Sequence, residues 1–235
     1  SVIDNDNCSG CGGCALVSSR VEMELSAEGF LRPSVSPLAM GEDQESEVAR
    51  FRSCCPGVNV SAPKSEAEAH PVFGSYVSCW VGWAQDDEFR HAGSSGGVLS
   101  ALTAFLTEES AGSKVNASAE SPSSPGTTVD LTLETRSDAL ASAGSRYAPV
   151  TNLAALRENP DAVAVVTKPC EASAARQLFD YEHTGESERP LLLSFFCAGT
   201  PSQTATMALA DMLGADRTTL TSVRYRGNGW PGQFE

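Results

Sequence analysis

Positive charge is what this sequence lacks most. Across 235 residues, 16 Lys and Arg stand against 30 Asp and Glu, a formal charge of −14. A nucleic-acid or anionic-membrane surface needs a basic face, so neither partner is expected. Long apolar runs are missing too. The longest patch, LLLSFFCAG, falls well short of the ~18 residues a spanning helix needs, so no membrane span is expected. No basic-then-apolar leader opens the chain. It begins at Ser1 and ends on GWPGQFE, so it reads as a C-terminally truncated fragment of a cytoplasmic protein. Histidine is scarce, and His70, His91 and His183 show no metal-ligand spacing.

What the sequence does have is cysteine. Eight cysteines without a leader point to a reducing compartment, where clustered thiols bind metal or do chemistry more often than they form disulfides. The stretch NCSGCGGCALVSS sets Cys8, Cys11 and Cys14 at the spacing of a ferredoxin run, C-x2-C-x2-C-x3-C-P. The fourth cysteine and its proline are absent, replaced by Ser18 and Ser19. In two-cluster ferredoxins the fourth cysteine of each run serves the other cluster. A single cluster therefore needs one remote Cys-Pro, and Cys55-Pro56 supplies it. The other members of a second run would fall at Phe51, Val48 and Glu45, none of them a thiol. The spacing thus predicts one [4Fe–4S] cluster on Cys8, Cys11, Cys14 and Cys55. Structural zinc usually draws on two separated cysteine pairs, which this spacing fits poorly. Plain thiols are the other alternative, and Cys54 competes weakly with Cys55.

Residues 1–62 read as an iron–sulfur domain with a small hairpin around Gly29 and an acidic helix leading into Cys55. A polar linker, SAPKSEAEAHP, follows. Residues 72–235 read as an α/β domain, with a strand over VFGSYVSCWVGWA and a helix over SSGGVLSALTAFLTEE. That helix has Val98, Leu99, Leu102, Phe105 and Leu106 on one face. Residues 110–130 read as a possible short strand within a Ser/Pro/Gly loop. From residue 152, helices (NLAALREN, EASAARQLFDYE, SQTATMALADMLGA) alternate with strands (AVAVVTK, PLLLSFFCA, LTSVRYRG). The pattern predicts a mostly parallel or mixed sheet flanked by helices.

Ligands bind beyond the carboxyl ends of such strands, and unusual motifs stand there. TKPCE offers Lys168 and Cys170 at a strand-to-helix turn, where Lys168 would favour the Cys170 thiolate. Cys197 follows the next strand. Either cysteine reads as a proton donor, a further metal ligand or simple filler, and Cys79 reads as core. Ser94, Ser95, Gly96 and Gly97 precede a helix, which makes either an anion site or an ordinary cap. Arg146 and Tyr147 suit a phosphate and a ring, or a surface pair. RYRGNGWPG holds Arg224, Arg226, Gly227 and Trp230, suited to a flat ligand or to a plain turn.

Taken in order, CSGCGGC, EGFLRP, CCPG, SSGGVLSAL, GSRY, KPCEASAARQL, FFCAGTPS and RYRGNGWPG resemble the coenzyme F420 hydrogenase/dehydrogenase beta-subunit family, in its single-run branch. The resemblance implies an iron–sulfur flavoprotein oxidoreductase relaying electrons between a [4Fe–4S] cluster, FAD and coenzyme F420 or a similar acceptor. It implies a redox partner, either ferredoxin or hydrogenase/dehydrogenase subunits, and leaves room for an oligomer. FAD would place its pyrophosphate at Ser94–Gly97, with Lys168, Arg146, Arg224 or Arg226 balancing charge. The alternatives are a ferredoxin-dependent reductase of another substrate and a non-catalytic electron-transfer subunit.

Overall fold

The thiol-rich loop runs directly into a short helix, α1 (Gly13–Val17), by way of Gly12 at φ 74°. In the computed structural model, residues 1–37, 44–62 and 69–235 are described. Strands β1 (Val21–Leu25) and β2 (Leu31–Val35) pair antiparallel from Val21↔Val35 to Leu25↔Leu31. Gly29, at φ 83°, supplies the left-handed backbone that the turn requires. Helix α2 (Gln44–Cys54) ends on the CCPG motif, where the Cys55 amide still donates to the Phe51 carbonyl. The expected start of this helix at 41–43 and most of the linker, 63–68, lie outside the described residues.

The second half is built on a mixed four-stranded sheet. Its first two strands follow β3 (Ala69–His70), β4 (Gly74–Ser75), α3 (Asp87–Ala92) and α4 (Val98–Glu109). They are β5 (Val115–Ser121) and β6 (Ser124–Leu133), an antiparallel hairpin. After α5 (Arg136–Ala141) come β7 (Ala164–Thr167), α6 (Pro169–Tyr181), β8 (Leu191–Ser194) and α7 (Gln203–Met212). Strands β5, β7 and β8 run parallel, giving the order β6-β5-β7-β8.

Neighbouring residues on β7 face opposite sides of the sheet. Ala164 joins Val115, Ala117 and Leu133 beneath Ala104 of α4 and Ala139 of α5. Val165 joins Leu153, Leu156, Ala174 and Ala175, and the same core takes in Cys11. The thiol loop therefore packs on one face of the sheet through α6. No helix among the described residues is long and apolar enough to cross a membrane.

Several expectations are corrected. Residues 72–84 form no long strand: only Gly74 and Ser75 pair, and Val77 and Val81 are each 95% exposed. Apolar composition alone does not make a strand where no neighbouring strand accepts its hydrogen bonds. Cys79 is accordingly exposed rather than core. Helix α4 turns Thr103, Ala104 and Thr107 inward and leaves Val98, Leu102 and Phe105 exposed, so its buried face is the small-residue one. Residues 110–130 are mostly ladder, because polar Ser and Thr side chains are compatible with paired backbone. The 152–159 helix shrinks to one 3-10 turn, Ala154–Arg157. Residues 220–227 make only an isolated bridge, Ser145↔Arg226, and β8 is a half-exposed edge rather than a buried strand.

Candidate functional site

Cys8, Cys11, Cys14 and Cys55 line one cavity of about 430 Å³. The remaining wall is largely apolar, including Ile3, Val17, Val21, Met23 and Phe51. Cys14 Sγ lies 3.9 Å from Met23 Sδ. Cys54 is not on this wall. It is fully buried with Val17 and Leu178, and its thiol turns towards the carbonyls of Phe51 (3.6 Å) and Gly13 (4.0 Å). Adjacent residues at the end of α2 thus divide the work, one filling the core and one facing the cavity. Burial pushes the Cys11 thiol up to about 12 and the Cys14 thiol to about 11, and also raises Cys55. Four thiolates in such surroundings need the positive charge of a metal group. Among the described residues no group of three His, Cys, Asp or Glu is placed to hold a metal ion. Four soft donors around an apolar chamber fit an iron–sulfur cluster.

The framework holding this loop draws on residues that sequence reasoning passed over. Ser18, where a fourth cysteine would stand, is buried and donates to Glu47 of α2 at 2.5 Å. Arg20 pairs with the same carboxylate. The vacated ligand position therefore anchors the helix that delivers Cys55. From the other side, Thr151 Oγ1 donates to the Cys11 carbonyl at 2.8 Å. Arg157 Nη1 reaches the carbonyls of Ala15 (3.1 Å), Ser18 (3.4 Å) and Val21 (3.4 Å). A Cβ on Gly12 would stand 2.2 Å from Thr151 Oγ1, so this close approach requires glycine. The glycines around the cysteines signal such an approach, but Thr151 and Arg157 leave no mark in the motif.

Lys168, Cys170 and Cys197 meet in a second pocket of about 440 Å³ beyond the carboxyl ends of β7 and β8. Cys8 and Ser9 line it as well, so the two cavities share a wall. Lys168 is buried. Its ammonium donates to the Val150 carbonyl and lies 3.2 Å from Glu171 Oε1, while Glu171 accepts from the Lys168 amide (2.7 Å) and the Asn152 amide (2.9 Å). Burial raises the Cys170 pKa despite the Ser9 hydroxyl and the Lys168 charge, which both lower it. Lys168 acts in the expected direction, but desolvation outweighs it and favours the protonated thiol.

The remaining candidates gather elsewhere. Ser94 Oγ accepts from the Ser145 amide at 3.1 Å, the Gly229 amide donates to the His91 carbonyl, and Ser145 bridges Arg226. Ser95, Gly96 and Gly97 take φ of 51°, 78° and 72°, and α4 begins without a side-chain cap. A Cβ on Gly97 would meet the Phe89 carbonyl oxygen at 2.2 Å, so this glycine is fixed by packing. Arg224 reaches the Ala143 carbonyl at 3.5 Å, and Arg226 bonds Pro231 and lies over Trp230. Neither has a carboxylate partner among the described residues. Gly227 packs against the Arg224 guanidinium and the Ala92 carbonyl, where a Cβ would meet each at 2.7 Å. Arg146 is turned inward to Thr128, the Val223 carbonyl and the Tyr225 ring, away from this loop cluster. Tyr147 packs edge-on against Tyr225. The segment from Gly144 to Val150 joins the two places, since Ser145 touches Ser94 and Pro149 and Val150 line the second pocket.

Fold and site together define a mixed α/β chain in which a four-thiol chamber abuts a sheet-end pocket. The chain belongs to the coenzyme F420 hydrogenase/dehydrogenase beta-subunit family. The N-terminal family model matches residues 79–157 and the C-terminal model residues 161–235. Cys8, Cys11, Cys14 and Cys55 precede the matched region. Among solved structures, the chain is similar to one from the xenon-derivatised F420-reducing [NiFe] hydrogenase complex of Methanosarcina barkeri. The TM-score is 0.55 at 18% identity, over 71% of this chain and 62% of that one. The likeness is one of fold, and the chain spans less than two thirds of that neighbour's length. No curated protein matches.

Proposed function

We propose that the protein is an iron–sulfur flavoprotein subunit of an oxidoreductase, passing reducing equivalents to coenzyme F420 or a similar conjugated acceptor. The observation that carries this reading is the shared wall: Cys8 and Ser9 line both the thiol chamber and the pocket that gathers Lys168, Cys170 and Cys197. A [4Fe–4S] cluster supplies one-electron transfer, and FAD couples single electrons to two-electron chemistry. Cys8, Cys11, Cys14 and Cys55 would hold the cluster. The uncapped start of α4, with Arg224 and Arg226 beside it, would hold the FAD phosphates. The flavin ring would follow Tyr147 and Pro149 towards the second pocket. There, the protonated Cys170 thiol holds a proton at Sγ, and the Lys168–Glu171 pair fixes the turn that presents it. Hydrogenase or dehydrogenase subunits, or ferredoxin, would supply electrons. The likeness to a chain from a hydrogenase complex favours the former.

The test is anaerobic purification followed by visible spectroscopy and addition of coenzyme F420 to the reduced protein. Iron–sulfur and flavin absorption with F420 bleaching is expected. Arg224→Gln should lower flavin content about tenfold, the equivalent of ~1.4 kcal/mol, with iron unchanged. Flavin content equal to wild type would move the phosphate site elsewhere.

A further inference from the structure

The second pocket lies in a chain whose net charge is −14. Its lining holds two cations, Arg32 and Lys168, and no Asp or Glu. Lys168 is already balanced by Glu171 behind the wall. Arg32 is not. Among the described residues it has no carboxylate within ion-pair distance, and its hydrogen bond runs from Nη1 to the neighbouring Leu31 carbonyl at 2.8 Å. Several arginines of this acidic chain are taken, Arg20 by Glu47, Arg50 by Glu182 and Arg136 by Asp86 and Glu88, whereas Arg32, like Arg224 and Arg226, is not. Arg32 instead lies 5.3 Å over the Phe30 ring, which also lines the pocket. Stacking orients a guanidinium, and its planar fork matches a carboxylate or phosphate.

We infer that Arg32 is a specificity residue of this pocket, binding the anionic group of a planar, carboxylate- or phosphate-bearing acceptor. The inference rests on reading the pocket as the reaction site. Arg32 comes from the β1–β2 hairpin beside the thiol loop, and Lys168 and Cys170 come from the start of α6, which follows β7. An acceptor held this way touches both halves and lies against the Cys8 wall. The anion has two sources, the acceptor's side chain or the FAD phosphate, and the geometry favours the acceptor because the phosphate candidates at Ser94–Gly97, Arg224 and Arg226 cluster elsewhere.

Binding is measured by fluorescence on the anaerobically purified full chain, with two probes. One is coenzyme F420, whose side chain is anionic; the other is the same deazaflavin ring stripped of that side chain. Arg32→Gln should weaken F420 about tenfold, the cost of losing a charge-assisted pair, and leave the stripped ring unchanged. Arg32→Lys should restore part of the difference. In the unaltered protein, salt should weaken F420 but not the stripped ring, a readout independent of how the variant folds. Equal weakening of both probes, or no change in either, overturns the inference. Loss of flavin from Arg32→Gln overturns it by giving the anion to FAD. Failure of the stripped ring to bind the unaltered protein refutes the pocket reading itself.

Discussion

Cys54 and Cys55 show how one position along a chain separates structure from chemistry. Helix α2 ends between them, so Cys54 points back into the core with Val17 and Leu178 while Cys55 faces the chamber. Cys54→Ser replaces a soft buried thiol with a hydroxyl, and the unfolding free energy should fall by about 1–3 kcal/mol by denaturant titration, with iron content unchanged. Cys170 illustrates a contest between effects. Lys168 sits close enough to lower its pKa, yet burial dominates and raises it above the ordinary 9.0. Alkylation needs the thiolate, so Cys170 should react more slowly than the exposed Cys79, its rate still climbing above pH 9.0. Mass-spectrometric labelling across pH measures this, and Cys170 reacting as fast as Cys79 at neutral pH would contradict it.

At the scale of elements, the thiol loop owes its shape to neighbours far away in sequence. Gly12 has left-handed backbone and no room for a Cβ against Thr151. Gly12→Ala should therefore cost about 2–4 kcal/mol from overpacking and backbone strain together, read as a lowered thermal midpoint of the metal-free protein. A midpoint equal to wild type would mean that the loop is not seated on Thr151. The elements differ in how plainly the sequence announces them. The β1–β2 hairpin is legible from alternation around Gly29, and α6 from its apolar spacing. The β5–β6 hairpin hides behind Ser, Thr, Pro and Gly, because a ladder is made of backbone and tolerates polar side chains. Residues 72–84 mislead in the opposite direction: apolar and aromatic, they find no partner strand.

At the scale of the molecule, the two halves share a core. Cys11 packs with Leu153, Val165 and Ala174, and Arg157 reaches across to three carbonyls around the thiol loop. The cysteine spacing is legible in sequence because cluster ligation demands local repeats. The meeting of Cys8 with Cys170 and Cys197 is only half legible: the strand-end rule places the last two together, but nothing in one dimension brings the hairpin residues Phe30 and Arg32 to the same pocket. The separation of Arg146 from the Ser94–Gly97 loop is likewise a tertiary fact, set by the Tyr225 ring and the Val223 carbonyl.

The four thiols lining one chamber should hold a single cluster. Iron and acid-labile sulfide, measured on anaerobically purified protein and on Cys55→Ser, test it most directly. About four of each per chain are expected, with most of both lost from Cys55→Ser. One zinc per chain without sulfide, or Cys55→Ser with its full iron content, would contradict it.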